Sequence, residues 1–404
     1  MVENKTFNFF DSDPQGEGEK LLVSLNNHYN DLKMNLNKFI PKNFGNLKTE
    51  LDSNQKYYYL INQNKLQTFL TIKGSEDPLS QLLVEKVNNN NNNFYIIIHS
   101  EHESLDEKNF KDLIDLVSKK NMDQSKIFLI NNGSNLKEYK EKYKSNFNIY
   151  TFNSLSRIKI MDMLRSDSLK FKATKNGKFF MTFNKEPKRH RYGLLCLLKK
   201  YNLLNDTNWS MVPTFSNNRD ENFYTPIFDT ETINFLKEEI KYFKELDYKF
   251  SDFETNNQFT YKSVIELTQI ENGDNYENTY VNLTTESVFD ERENIVHITE
   301  KSYKPFFYYQ FPLILASENH IKTMKEKYGF DFYEDIVNYE YDNEKNDINR
   351  FKLYIKEVIR LSGMKEQLIE YYKNNEDRFK KNKDKLVSLL NLINNDYQYF
   401  YNLI

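Results

Sequence analysis

Two stretches of this chain are apolar or aromatic at every position: Phe94-Tyr95-Ile96-Ile97-Ile98 and Ile127-Phe128-Leu129-Ile130. Side chains alternate faces along a strand, so such a run has to be covered on both sides, as a central strand of a parallel sheet is. Between the two runs, Phe110, Leu113, Ile114, Leu116 and Val117 recur at helical spacing. Tyr57-Tyr58-Tyr59-Leu60-Ile61 and residues 66–72 read as further strands, and a short polar helix at 136–143 leads to another at 148–152. Strands alternating with helices of this length predict a parallel sheet with crossover helices, a Rossmann-like layer. The six asparagines from Asn88 to Asn93 read as an exposed loop.

The alternation then starts again. Strands are expected at 178–183, 209–212, 279–283 and 311–316, and helices at 189–200, 230–246, 300–309 and 319–327. From Asp347 onward the spacing is helical, with Lys and Glu on the outer face. A chain of 404 residues exceeds what one core usually organises. The fold class expected is α/β, with two Rossmann-like domains facing a cleft and helices at the C-terminus. The divisions are an unassigned segment at 1–50, with Leu21, Leu22 and Leu25 able to seat a short helix, an N-terminal domain at 51–170, a C-terminal domain at 171–345, and helices at 346–404. Leu386, Leu389, Leu390 and Ile393 suit either a helix docked back on the first half or a homodimer contact.

Only 10 glycines occur, and neither the dinucleotide-binding fingerprint nor the P-loop spacing is present. Backbone cradles for phosphate are thereby excluded, and a bound phosphate has to be held by side chains or by helix N-termini. The net charge of -3 provides no global field for nucleic acid, so no nucleic-acid partner is expected. One cysteine, Cys196, excludes a disulfide framework and reads as core packing. There is no signal-peptide pattern and no apolar run long enough for a membrane span. A soluble, cytoplasmic protein is expected. Asn, Lys, Ile, Tyr and Phe are AT-rich-codon residues, which suits an AT-rich virus, protist or bacterium, and the host cytoplasm if the source is viral.

Two segments carry candidate chemistry. Phe183-Asn184-Lys185-Glu186-Pro187-Lys188-Arg189-His190-Arg191 follows a strand and opens a helix, so cations gather at a positive helix end, a setting suited to a diphosphate. In Ile298-Thr299-Glu300-Lys301-Ser302-Tyr303-Lys304-Pro305, Thr299 can cap the helix that Glu300 begins. Glu300 can accept from both hydroxyls of a ribose, Lys301 and Lys304 can reach phosphate, and Tyr303 can face a base. His190 suits either phosphate or the helix cap, while His297 and His320 read as surface or satisfied histidines.

Taken in order, Asn184 through Arg191, Thr299-Glu300-Lys301, Pro312-Leu313-Ile314 and Gly329-Phe330 resemble the nucleotide-sugar domain of the alpha-1,3-fucosyltransferases and related glycosyltransferases of large DNA viruses, phages and bacteria. The resemblance covers residues 179–341 and implies a GT-B-like fold and an inverting, metal-independent transfer. It makes Arg191 the diphosphate ligand with Arg189 the fallback, Glu300 the ribose ligand and Lys301 a phosphate ligand. Where that family has Glu-Asn-Ser, this chain has Thr285-Glu286-Ser287 and a longer insert after it, which adds Glu286 to the donor site and leaves the sugar open among fucose, another deoxyhexose, a hexosamine and a pentose.

A catalytic base should stand at a strand end of the N-terminal half. His99-Ser100-Glu101-His102-Glu103-Ser104 follows the buried strand, and the resemblance favours Glu103, then Glu101 and His102. The same residues are a loose metal constellation, and Asp11-Ser12-Asp13 is the one Asp-x-Asp run in the patternless N-terminus; no metal and no separate cofactor are expected. The partners expected are a GDP- or UDP-linked sugar and a glycan, lipid-linked or protein acceptor. The alternatives are a transferase acting on modified bases of DNA, and a non-catalytic protein retaining the fold.

Overall fold

The structure is a computed structural model and describes residues 8–11, 40–42, 56–62, 84–89, 93–100, 105–131, 136–151, 164, 169–184, 188–210, 273–289 and 296–403. Contacts divide the chain into residues 1–158 with 391–404, and residues 159–390.

The first unit is built on six parallel strands: β1 (Asn8–Asp11), β2 (Ile40–Lys42), β3 (Lys56–Asn62), β4 (Asn93–Ser100), β5 (Ile127–Asn131) and β6 (Asn148–Thr151), in the order β2-β1-β3-β4-β5-β6. The two apolar runs are neighbours, with Ile98 opposite Leu129. On one face Tyr57, Tyr59, Phe94, Ile96, Ile98, Ile127 and Leu129 form a core with helices α1 (Glu107–Lys119) and α2 (Leu136–Lys142). Phe110, Leu113 and Val117 are the buried positions of α1, at the spacing of one helix face, and Asp106 caps its start by accepting from the Asn109 amide at 2.6 Å. On the other face Tyr58, Tyr95, Phe128 and Tyr150 make a row of rings, with centroids 5.5, 5.6 and 6.0 Å apart. The aromatic richness of the sequence is therefore used as cross-strand packing.

The segment 1–50 supplies two strands that its sequence did not disclose. At four and three residues, β1 and β2 are too short to show an alternation. Pro41 argues against a central strand, and β2 is indeed at the sheet edge, where a missing N–H is tolerated. Asp11, the first member of Asp-x-Asp, ends β1. The asparagine run is only partly loop: Asn93 opens β4, and Asn88 ties the turn after α1 by donating to the Asn121 carbonyl at 2.8 Å and accepting from the Asp123 amide at 3.2 Å.

The second unit holds four parallel strands, β7 (Phe180–Phe183), β8 (Thr207–Ser210), β9 (Val281–Thr285) and β10 (Phe311–Leu315), in the order β10-β9-β7-β8. Its helices are α3 (Arg189–Lys200), α4 (Gly273–Glu277), α5 (Glu300–Phe307) and α6 (His320–Tyr328). They are followed by α7 (Asp347–Gly363), α8 (Lys365–Asn374) and α9 (Glu376–Leu403). Every residue of β9 and β10 is buried, as is Cys196 on α3. Strand β9 begins two residues later than its sequence suggests because Thr279 belongs to the preceding turn, its hydroxyl donating to the Asn275 carbonyl at 3.0 Å. Strand β8 begins two residues earlier, at Thr207, whose hydroxyl donates to the Leu203 carbonyl at 2.8 Å. The strand at 66–72 and the helix at 230–246 lie outside the described residues.

The expectation of two parallel α/β units is met in both sheets. From β7 the chain passes to β8 on one side, then returns to β9 and β10 on the other, so the strand order reverses between β7 and β9. Open α/β sheets bind ligands beyond the carboxyl ends of the strands at such a reversal. The β7–β9 ladder pairs only Phe180 with Val281 and Met181 with Asn282. Farther along, side chains bridge the two strands: Thr285 donates its hydroxyl to Asn184, which donates to Thr182 at 3.1 Å.

Candidate functional site

Helix α3 follows β7 and helix α5 follows β9, so both helix N-termini stand at the carboxyl ends of the strands that flank the reversal. Helix α5 is capped as its sequence predicts: Thr299 is extended at φ -110° and ψ 179°, and its hydroxyl accepts from the Lys301 amide at 3.3 Å. Helix α3 has no side-chain cap and no acid in its first turn, which carries Arg189, His190 and Arg191 behind the capping residue Lys188. Positive charge at the positive end of a helix is unfavourable unless an anion compensates it.

Glu286, the residue after β9, joins these helix starts. Its carbonyl is 2.9 Å from His190 Nε2 and accepts from the Arg191 guanidinium at 3.4 Å. Its amide donates to the Leu315 carbonyl at the end of β10 at 3.0 Å. Its carboxylate accepts from the Thr299 amide at 3.0 Å, the Thr299 hydroxyl at 2.8 Å, the Ser302 hydroxyl at 2.5 Å and the Ser287 amide at 3.2 Å. Burial alone would raise the pKa of this carboxyl, but Lys301, His320 and the Ser302 hydrogen bond outweigh it and hold the group below its ordinary value. Ser302 is in turn 2.9 Å from Nε2 of His320, and since its proton serves Glu286, His320 Nε2 is the donor there.

Above Glu286 the cations converge. Lys188 Nζ donates to the Ser287 carbonyl at 2.9 Å, and Lys301 Nζ donates to the Ser287 hydroxyl at 3.3 Å. Lys301 also stands 3.7 Å from the Glu300 carboxylate, and its side chain is 30% exposed. One ammonium from each helix start therefore meets at one serine. Lys188 lay within the basic cluster of the sequence without being singled out; Ser287 and Ser302 gave no signal of their own, because their partners come from segments far apart in the chain.

The other sequence candidates fall in several places. Arg191 is buried beneath this cluster, donating to the Thr285 and Glu286 carbonyls at 3.5 and 3.4 Å. Lys304 lies 5.6 Å from the centre of the Tyr276 ring on α4; burial works to lower its pKa, and Tyr276 and Glu300 outweigh it to leave the ammonium above its ordinary value. Three placements correct the sequence reading. Tyr303 is buried against Phe330, with ring centres 6.1 Å apart, because the apolar side of α5 needs it as packing; it does not face outward toward a base. Glu286 is 0% exposed with its carboxylate occupied by protein donors, so it has no oxygen turned to a ligand. His190 is buried and stacked on Phe289 at 5.1 Å, with no access to a phosphate. The side chain of Arg189 and the whole of Glu101, His102 and Glu103 lie outside the described residues; the last three directly follow the carboxyl end of β4.

Among the described residues no group of three His, Cys, Asp or Glu side chains is placed to hold a metal ion, and no helix is long and apolar enough to cross a membrane. A depression lined by Asn176, Lys178, Asp206 and Asn275 lies at the amino ends of β7 and β8, at the other end of the sheet from the cation cluster.

The buried histidines make this unit acid-sensitive. Burial pushes His297 and His320 down to about 4, and holds His190 well below the ordinary imidazole value. Between pH 6.5 and about 4 the unfolded chain binds protons at these positions that the native protein refuses, so stability falls as pH falls through that window. His297 and His320 each contribute roughly 3 kcal/mol to the loss by pH 4. Glu286, held low, acts in the same direction toward the acid end. Asp342 opposes them: burial raises it to about 6, so the native state takes up its proton first, offsetting roughly 3 kcal/mol. Urea midpoints measured at pH 7, 5.5 and 4.5 are expected to fall at each step, and a flat profile would contradict the buried, neutral histidines.

No family model matches the sequence, and no curated protein matches it. Solved structures similar to this chain include T4 phage beta-glucosyltransferase studied for substrate binding and catalytic mechanism, at 13% identity over 98% of both chains with a TM-score of 0.42. T4 phage BGT in complex with its UDP-glucose substrate is 11% identical over 97% of this chain and 99% of that one, with a TM-score of 0.41. The DNA-modifying enzyme beta-glucosyltransferase, solved with and without uridine diphosphoglucose, is 12% identical over 97% and 99%, also with a TM-score of 0.41.

Proposed function

We propose that this chain is a glycosyltransferase that moves a sugar from a nucleoside diphosphate to an acceptor hydroxyl. The observation that carries the reading is the meeting of Lys188 and Lys301 at Ser287, where the starts of α3 and α5 face the reversal of strand order. Two helix N-termini and two ammonium groups form a site for an anion with several negative oxygens, and a diphosphate is such an anion. Glu300, beside Lys301, is the acceptor group for the ribose hydroxyls. Arg191 supports the site from below through the Glu286 carbonyl, and its fixed charge adds to the field.

In the reaction the bond between the sugar's anomeric carbon and the diphosphate oxygen breaks, and the diphosphate leaves with the electron pair. A bond forms from that carbon to the acceptor oxygen on the opposite face, inverting the centre, while the acceptor proton passes to a carboxylate of the segment after β4, with Glu103 first in line. Lys188, Arg191 and Lys301 supply preorganised positive charge where negative charge develops, the role a divalent metal would otherwise fill. The donor is GDP- or UDP-linked, and the acceptor is a glycan or glycoconjugate.

Thermal unfolding in the presence of UDP, GDP and their sugar conjugates tests the donor. A ligand at 100 times its Kd adds about 2.7 kcal/mol of stability, and a clear rise in Tm is expected for one nucleotide and its sugars. Activity with that sugar is expected to survive EDTA. Oligosaccharides and duplex DNA carrying modified bases serve as acceptor arms, and turnover on the DNA alone would select that acceptor. No shift with any nucleotide would overturn the transferase reading.

A further inference from the structure

The cation cluster has to be held together against its own repulsion, and no described main-chain ladder does so. Strands β7 and β9 pair over only two residues, both before the site. Beyond them, beside the lysine contacts at Ser287, helices α3 and α5 are joined through Glu286. Glu286 presents its carbonyl to His190 and Arg191 of α3 and its carboxylate to Thr299 and Ser302 of α5, while its amide is fixed to β10. All three of its polar functions are used, each on a different element, and the side chain has no exposed surface.

Resting on the transferase reading, we propose that Glu286 is the positioning residue of the donor site, a clamp that sets the separation of Lys188 and Lys301 and so the span of diphosphate the site accepts. The carboxylate is suited to this because it only accepts, and toward it two amides and two hydroxyls donate. Two oxygens receive the Thr299 amide, the Thr299 hydroxyl, the Ser302 hydroxyl and the Ser287 amide, which fixes the first turn of α5 in both translation and rotation. Ser302 extends the clamp by one step, since it meets His320 at the start of α6 at 2.9 Å. An amide in place of the carboxylate keeps the shape but puts an N–H against a backbone N–H at either oxygen position, so at least that bond fails and the facing hydroxyl has to reverse its role. Shortening the chain keeps the acceptor chemistry but cannot reach both α5 partners at once.

Glu286→Gln and Glu286→Asp test the clamp, with Ser302→Ala as the milder variant that removes one bond and keeps the carboxylate. Hydrogen exchange at residues 298–303 and titration with UDP and GDP, each alone, are read in every variant that folds. Exchange at 298–303 is expected to rise at least tenfold while residues 311–315 of β10 keep their protection. The Kd of the nucleotide is expected to rise at least tenfold, most in Glu286→Gln. Wild-type protection at 298–303 in folded variants would overturn the clamp, as would raised exchange with an unchanged nucleotide Kd. If the wild type binds neither nucleotide, the donor reading fails while the exchange data still decide whether Glu286 holds α5.

Discussion

Replacing Lys188 and Lys301 together by methionine is expected to weaken binding of the nucleotide at least 100-fold in a protein that still folds. An ammonium bonded to a phosphate contributes about 1.5–3 kcal/mol, and roughly 1.4 kcal/mol is a factor of ten in affinity, so if both lysines hold the diphosphate, losing them costs two or more factors of ten. In the free protein Lys188 stands at the positive end of α3, which has no acid in its first turn, so its removal relieves repulsion. Lys301 instead balances Glu300 and the buried Glu286, and its removal costs stability. A purely structural role for the lysines predicts a lower Tm, because the Ser287 carbonyl and hydroxyl lose their donors, with nucleotide affinity little changed, so the affinity is what separates the two readings. The wild-type Kd should also rise with ionic strength, and the double variant should have lost most of that dependence. Retained affinity in the double variant would remove the cation cluster as the diphosphate site.

Much of this arrangement is legible in the residues. Helix α3 begins at Arg189 and ends at Lys200, as its basic start and apolar spacing predict, and Thr299 caps α5 because an extended threonine before Glu-Lys offers its oxygen to the first free amide. Strands β4 and β5 show themselves because a strand covered on both faces can carry no polar residue among its central positions. What stays hidden has a common cause. Glu286 reads as a ligand-facing acid because Thr285-Glu286-Ser287 stands where the resemblance places Glu-Asn-Ser, and the partners that occupy its carboxylate, Thr299 and Ser302, sit 13 and 16 residues away in the chain. The same holds for Tyr303, whose phenol suggests a ring facing a base until Phe330 is found against it. Strands β1 and β2 escape notice for a different reason: they are shorter than one clear period of alternation, and they gain their identity from pairing with each other and with β3.

Arg350→Met is expected to cost about 3–5 kcal/mol of stability, the largest loss from any single charged residue considered, although it is far from both helix starts in sequence. Arg350 is 1% exposed on α7 and donates to the Phe289 carbonyl and the Glu344 carbonyl, both at 2.6 Å, and to the Asp347 carboxylate. Its guanidinium also lies 4.9 Å from the centre of the Phe289 ring, which stacks on His190 and meets Phe351 edge-on. Methionine fills much of the volume but leaves two carbonyls and a carboxylate without their donor, and the desolvation of those groups is not recovered. Helix α7 contains its own control. Arg360 pairs with Glu357 at the same spacing of three residues, but its side chain is 38% exposed, and although Glu357 is 5% exposed it keeps the Asn338 amide at 2.8 Å, so Arg360→Met is expected to cost less than Arg350→Met. Lysine at 350 should recover part of the loss, since a single ammonium keeps the charge but cannot reproduce the planar fork that reaches Phe289 and Glu344 together. Urea unfolding of the three variants gives the comparison, and equal losses at 350 and 360 would show that burial is not what sets the strength of these pairs. Nucleotide binding in Arg350→Lys adds a second reading. Phe289 closes the segment that begins at Glu286, so a loosened Phe289 carbonyl should raise the Kd, whereas an unchanged Kd would confine Arg350 to stabilising α7.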